Sequence, residues 1–234
     1  ERLAAMGQVT AVLAHEVQNP LQAIHTNLEL LSSGLLEPDE QEECLAICLS
    51  ETQRLREMTH NVLSMSRVQP EAFQPVSLAA VWQRIQHLLA DQLRGAGIAV
   101  AVDLPDDLPA VQGSAEQLGQ VLLNLSLNAV DSTPNGGQVW LAGRVHNDRL
   151  VFTFVNNGPP IPAEHLGRLF EPFFSTKPNG TGLGLFVSQA IVQQHGGELN
   201  AANLPGGQGV CFTITLPAAP PVQLGANGAP EAGP

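Results

Sequence analysis

From Met6 to Leu35 the apolar residues Met6, Val9, Leu13, Val17, Leu21, Ile24, Leu28, Leu31 and Leu35 recur every three or four positions, the period of a helix with one buried stripe. A stripe that long needs a second surface to lie against. The next segment offers one. After a turn through Gly34 and Leu36-Glu37-Pro38, acidic Asp39, Glu40, Glu42 and Glu43 open a second helix at the positive end of its dipole. That helix carries Leu45, Leu49, Thr52, Leu55, Thr59, Val62 and Ser66 on one face. Two helices have too little interior to bury both stripes, so a second copy of the chain is expected to complete a four-helix bundle.

The polar side of the first helix holds His15, two residues from Leu13 and from Val17, and so turned away from the stripe. Glu16 stands beside it, where a carboxylate can accept a hydrogen bond from one ring nitrogen and leave the other as a more basic nucleophile. Asn19 follows one turn on, and Pro20 removes a backbone donor. On its own this is an ordinary solvated histidine. Its meaning depends on what the rest of the chain supplies.

Between Arg67 and Ser77, Pro70 and Pro75 break the helical period, which divides the chain into a hairpin at 1–69, a linker at 70–76 and a second domain at 77–217. The second domain alternates helices with strands. Ser77 is expected to cap a helix to about Arg94, followed by a strand over 98–104 and a loop over 105–113. A Ser114-x-x-Gln117 capping box opens a helix to Ser132. Strands then fall at 138–146 and 149–155, a short helix at 163–169, a helix from Gly182 to His195, and strands at 197–203 and 209–216. This order predicts an α+β domain with helices on one face of a mixed sheet. Residues 218–234 are Pro, Ala and Gly with little apolar bulk and read as a disordered tail.

The net charge of -12, with only ten Lys and Arg, argues against a nucleic-acid or anionic-membrane surface and for protein and small-molecule partners. No apolar run is long enough to span a bilayer, and these residues show no basic start followed by a signal-peptide core. Three cysteines without a disulfide spacing suit a reducing cytoplasm, and Cys44 and Cys48 read as small buried residues. The chain starts within a helical pattern at Glu1-Arg2-Leu3 without a cap, as expected of a fragment that has lost an upstream region.

Four stretches of the second domain offer chemistry. Asn124 and Asn128 share a helix face beside apolar Val121, Leu122 and Leu125, and two such amides can ligate magnesium or hold phosphate. Asn156-Asn157-Gly158 ends a strand, where ligand-reading side chains are common. Phe170-Glu171-Pro172-Phe173-Phe174 precedes Lys177 and suits a lid that carries a cation to a phosphate. Gly180-Thr181-Gly182-Leu183-Gly184-Leu185 opens a helix whose backbone donors can cradle an anion. Each has a bland reading as surface amides, a turn, a small satellite core or a flexible loop.

Taken together and in this order, these stretches resemble the sensor histidine kinases of two-component signalling. The resemblance covers residues 1 to about 216. It implies a dimeric four-helix bundle followed by an α/β sandwich of the Bergerat ATP-binding type. By that resemblance His15 to Pro20 is the phosphoacceptor motif, with His15, Glu16 and Asn19 catalytic. Asn124 and Asn128 belong to the magnesium and ATP segment, Asn156 to Gly158 to the adenine-reading segment, Phe170 to Phe174 to the aromatic segment, and Gly180 to Gly184 to the phosphate loop. Lys177 and Thr181 are expected at the nucleotide, and His195-Gly196-Gly197 stands where the family often has such a sequence.

Three positions depart from the family pattern. Asn156 stands where an aspartate usually reads adenine, Pro160 replaces a glycine, and Gln18 replaces a frequent basic residue. Loss of a charged acceptor is worth about 1 kcal/mol, which weakens or retunes nucleotide binding without abolishing it. The implied activity is ATP-dependent autophosphorylation of His15 and transfer to an aspartate of a response regulator, with Asn19 orienting water for the reverse, phosphatase reaction. A dimeric scaffold or phosphatase with a vestigial ATP site is the alternative, and an ATPase or serine kinase of the same nucleotide fold is a third.

Overall fold

The computed structural model describes residues 2–66, 73–177 and 180–219. Helices α1 (Arg2–Ser33) and α2 (Pro38–Ser66) form an antiparallel hairpin. Its register is set by two contacts that close on the turn: Glu16 meets Arg54, and the Cys48 thiol lies 3.7 Å from the carbonyl of Ile24. Gly34 takes a φ of +68°, the left-handed conformation that ends a helix at least cost in glycine. Pro20 lies inside α1 and is buried.

The apolar stripes divide in a way the periodicity did not foresee. Among the described side chains of α2, Cys44 and Met58, fourteen residues apart, are the buried apolar ones, while Leu45 and Leu49 of the expected face are exposed. On α1, Leu21 and Leu28 are exposed too, as is Leu35 in the turn that follows, and Val17, Ile24 and Leu31 are half-buried. One flank of the hairpin therefore packs internally and against the second domain, and the other is an open leucine-rich face.

In the second domain α3 (Leu78–Gly95) and α4 (Ala115–Ser132) are capped by Ser77 and Ser114, whose hydroxyls accept from the amides of Ala80 and Gln117 at 3.3 Å each. A five-stranded sheet carries the order β2 (Ala99–Asp103), β4 (Gln138–His146), β5 (Arg149–Asn156), β7 (Val210–Pro217), β6 (Glu198–Asn203). Only the β2–β4 pair is parallel. Helix α6 (Gly184–Gln194) joins α3 and α4 on one face, and α5 is a single turn at Ala163–Leu166. Strict alternation along β5 buries Leu150, Phe152, Phe154 and Asn156 beneath these helices. One apolar core runs through the domain and includes Met58 of α2, with Val17 of α1 packed against it.

Two strands fall where a linker and a loop were expected. β1 (Gln74–Val76) pairs antiparallel with β3 (Val111–Gly113), and Val76 and Val111 are both buried. Residues 70–72 of the linker, the last three of the expected hairpin (67–69) and most of the expected tail lie outside the described residues. Helix α6 starts at Gly184 instead of Gly182, because Gly182 takes a φ of +64° that cannot continue a right-handed helix. Among the described residues no helix is long and apolar enough to cross a membrane.

Candidate functional site

A cleft of about 1140 Å³ opens between α4, the end of β5, the Pro159–Pro162 loop and the stretches Phe174–Lys177 and Gly180–Gly184, with its mouth on α2. It gathers Asn124, Asn128, Asn156, Lys177, Gly180, Thr181, Gly182 and Gly184 from three separate parts of the sequence. Gly158 and Leu183 are not on its wall. A Cβ at Gly158 would overlap the Ser132 carbonyl and sit 2.6 Å from Asn156 Nδ2, so this glycine lets the strand end close against α4. Leu183 is 2% exposed and belongs to the core beneath α6.

Asn156 is deeply buried, and its Nδ2 has no hydrogen-bond partner. Such an orphan donor costs about 1–3 kcal/mol, and it belongs to a residue that lines the cleft. On α4, Asn124 Nδ2 donates to Gly184 O at 3.2 Å and to Ser188 Oγ at 3.3 Å, which ties α4 to the start of α6. Asn128 Oδ1 accepts from Lys177 Nζ at 3.0 Å, and Lys177 also pairs with Asp131 at 2.6 Å. The cation expected at a phosphate is thus parked on α4.

The glycine turn is held by Phe173, which itself has a φ of +65° and donates its amide to Gly182 O at 3.0 Å. A Cβ on Gly182 would overlap the backbone of Phe173, and one on Gly180 would overlap Ser175 Oγ. At Gly182 a side chain is excluded so that backbone can approach backbone, whereas at Gly180 the obstacle is the Ser175 hydroxyl. Phe170 and Phe173 pack on the core, whereas Phe174 faces the cleft between the His165 ring, 5.4 Å away, and the Arg168 guanidinium, 4.5 Å from its centroid.

His15, Glu16 and Asn19 stand apart from the cleft wall, on α1. The His15 side chain is 72% exposed, and its Nδ1 is 4.0 Å from Glu16 Oε1, beyond hydrogen-bond reach. Glu16 is held instead by Arg54, 3.4 Å from its other oxygen, and Arg54 in turn meets Glu51 at 3.8 Å. Asn19 is exposed like His15. Sequence reasoning missed Arg54, although a turn centred near Leu35 places residues 16 and 54 at one level. It also missed Asp131, His165, and the α2 residues Gln53, Arg56 and Glu57 at the cleft mouth, which depend on tertiary packing.

His195 is no part of this cleft. It is 6% exposed, donates from Nδ1 to Ile191 O at 2.7 Å, accepts at Nε2 from the Ser114 amide at 3.1 Å, and stacks on Phe73. That bonding needs the neutral ring, and burial holds its pKa below the ordinary histidine value.

No cluster of three or more His, Cys, Asp or Glu able to hold a metal exists among the described residues. A nucleotide-bound magnesium needs only one or two protein oxygens beside phosphates and water. Asn124, whose nitrogen is committed to Gly184 and Ser188, has the amide oxygen left for that purpose, while the oxygen of Asn128 meets Lys177.

Two family profiles match the chain: the His Kinase A (phospho-acceptor) domain over residues 5–71, and the histidine kinase-, DNA gyrase B-, and HSP90-like ATPase over residues 113–220. The signal transduction histidine-protein kinase AtoS of Escherichia coli (strain K12) is 35% identical over 225 residues, covering 94% of this chain and 36% of AtoS. The sensor histidine kinase ZraS of Klebsiella oxytoca is 34% identical over 218 residues, 93% of this chain and 47% of ZraS. The chain therefore spans less than half the length of these curated relatives. The crystal structure of histidine kinase ThkA in complex with response regulator protein TrrA matches with a TM-score of 0.76 at 26% identity, over 94% of this chain and 64% of that one. A phospho-acceptor hairpin and a kinase-type ATPase domain, matched in succession along a chain whose relatives are kinases of this kind, make it a member of the sensor histidine kinases of two-component signalling.

Proposed function

We propose that this chain transfers the terminal phosphate of ATP to His15 and passes it on to an aspartate of a response-regulator receiver domain. The observation that carries the reading is a shared stretch of α2. Gln53, Arg56 and Glu57 line the mouth of the cleft, and Arg54 between them pairs with Glu16 beside His15. The cleft and the carboxylate beside His15 thus meet the same stretch of α2.

In this reading Asn156 meets the base, and the Gly180 and Gly182 backbone with the N-terminus of α6 receives the phosphates. Lys177 leaves Asp131 to join them. Magnesium, when bound with the nucleotide, supplies charge neutralisation of the phosphates, with Asn124 and Asn128 as its protein contacts. Glu16 closes the 4.0 Å gap to Nδ1 of His15 and takes its proton, leaving the other nitrogen to attack in line. Asn19, exposed one turn on, orients water toward the regulator's phospho-aspartate in a phosphatase reaction.

The exposed Leu21, Leu28, Leu35, Leu45 and Leu49 support a homodimer built on the hairpins, and the complex of ThkA with TrrA supports a receiver domain as partner. Three free cysteines support a reducing, cytoplasmic setting for this segment. The test is a pair of variants incubated with magnesium and γ-labelled ATP. His15→Ala should bind ATP and take no label, and Asn128→Ala should lose label by losing ATP. Normal labelling of either variant contradicts the role given to that residue.

A further inference from the structure

Asn156 is held where its amide has one freedom left. It is the last core-facing residue of β5, with Val139 of β4 and Val210 of β7 as register partners. Gly209 lies so close to its carbonyl that a Cβ there would overlap it. The neighbouring loop is equally fixed: Asn203 accepts from the Ile161 amide at 2.8 Å and donates to the Ile161 carbonyl at 2.7 Å. The terminal torsion of the Asn156 amide, in contrast, has two orientations of nearly equal shape, one presenting NH2 and the other C=O. Its nitrogen is 98% buried with its residue and meets no partner to choose between them.

We propose that Asn156 makes the base site indifferent to the 6-substituent of a purine, so that 6-oxopurine triphosphates bind alongside ATP. This rests on the cleft being the nucleotide site and on Asn156 reading the base. Adenine presents a 6-amino donor beside the N1 acceptor, and hypoxanthine presents a 6-oxo acceptor beside an N1 donor. The amide complements the first edge in one orientation and the second after rotation. A carboxylate in this position only accepts, and would face a 6-oxo group acceptor to acceptor.

Calorimetric titration of the chain with the magnesium complexes of ATP and inosine triphosphate tests this, since inosine changes the 6-position and N1 without adding a 2-amino group. The two dissociation constants should agree within about fivefold in the wild type, and Asn156→Asp should disfavour inosine triphosphate by about tenfold or more relative to ATP. A wild-type preference for ATP beyond that fivefold overturns the proposal whether or not the variant folds. An unchanged ratio in a folded Asn156→Asp overturns the assignment to Asn156. Failure of both nucleotides to bind overturns the nucleotide-site reading itself.

Discussion

The guanidinium of Arg54 lies 3.4 Å from one oxygen of Glu16, and the other oxygen of that carboxylate lies 4.0 Å from Nδ1 of His15. The α2 helix thereby sets where the carboxylate of α1 points. A positioned base is worth about 10²–10⁴ in rate, and loosening it forfeits part of that. Arg54→Gln should slow His15 phosphorylation about tenfold at saturating ATP while leaving nucleotide affinity unchanged, and Arg54→Lys should recover part of the rate. A change in affinity with no change in maximal rate would show that Arg54 acts elsewhere.

Lys177 is shared by Asp131 and Asn128, so a phosphate has to compete with a carboxylate for it. Removing the competitor should strengthen nucleotide binding. Asp131→Asn is expected to tighten ATP about fivefold and Lys177→Ala to weaken it by a similar factor, both without a large shift in melting temperature because the pair is exposed. Titration with labelled nucleotide reads both variants, and weaker binding by Asp131→Asn would mean that the carboxylate serves the ligand directly.

His195 links stability to pH. Its folded pKa lies below the ordinary value near 6.5 because it is buried, with the bond to Ile191 O opposing that shift only in part. The unfolded chain therefore binds more protons than the folded one as pH falls below about 6.5, so its contribution to stability is complete above that pH and is lost on acidification. Protonation would also turn Nε2 into a donor facing the Ser114 amide. The melting temperature should fall between pH 7 and pH 5.5, and the part due to this residue should vanish in His195→Gln. An identical slope in both proteins would assign the pH dependence to other groups.

The open face of the hairpin predicts assembly. Leu28 is 49% exposed and Leu49 72% exposed in the single chain, and full burial of a leucine is worth about 1.5–3 kcal/mol. Leu28→Lys combined with Leu49→Lys should give a monomer by sedimentation equilibrium, with the sheet domain still folded. A dimer that survives both changes would place the interface elsewhere.

The long elements and the site were legible because each repeats a short rule. The three- and four-residue period gave α1, the four-residue spacing of Asn124 and Asn128 put both amides on the cleft side of α4, and alternation along 149–155 implies that Asn156 faces the helices. What escaped depends on contacts between distant residues. β1 and β3 are three residues each, with Pro75 in the middle of β1, too short for alternation to register. Met58 sits off the expected face of α2 because it packs into the core of the second domain. No local pattern links Lys177 to Asp131, 46 residues earlier in the chain.

The central claim is that His15 itself receives the phosphate, and the lability of the label tests it most directly. After incubation of the chain with magnesium and γ-labelled ATP, the account predicts protein-bound phosphate that survives alkali, is released by acid, and maps to the peptide containing His15. Acid-stable label on a hydroxyl residue, or ATP turnover with no label on the protein, would contradict it.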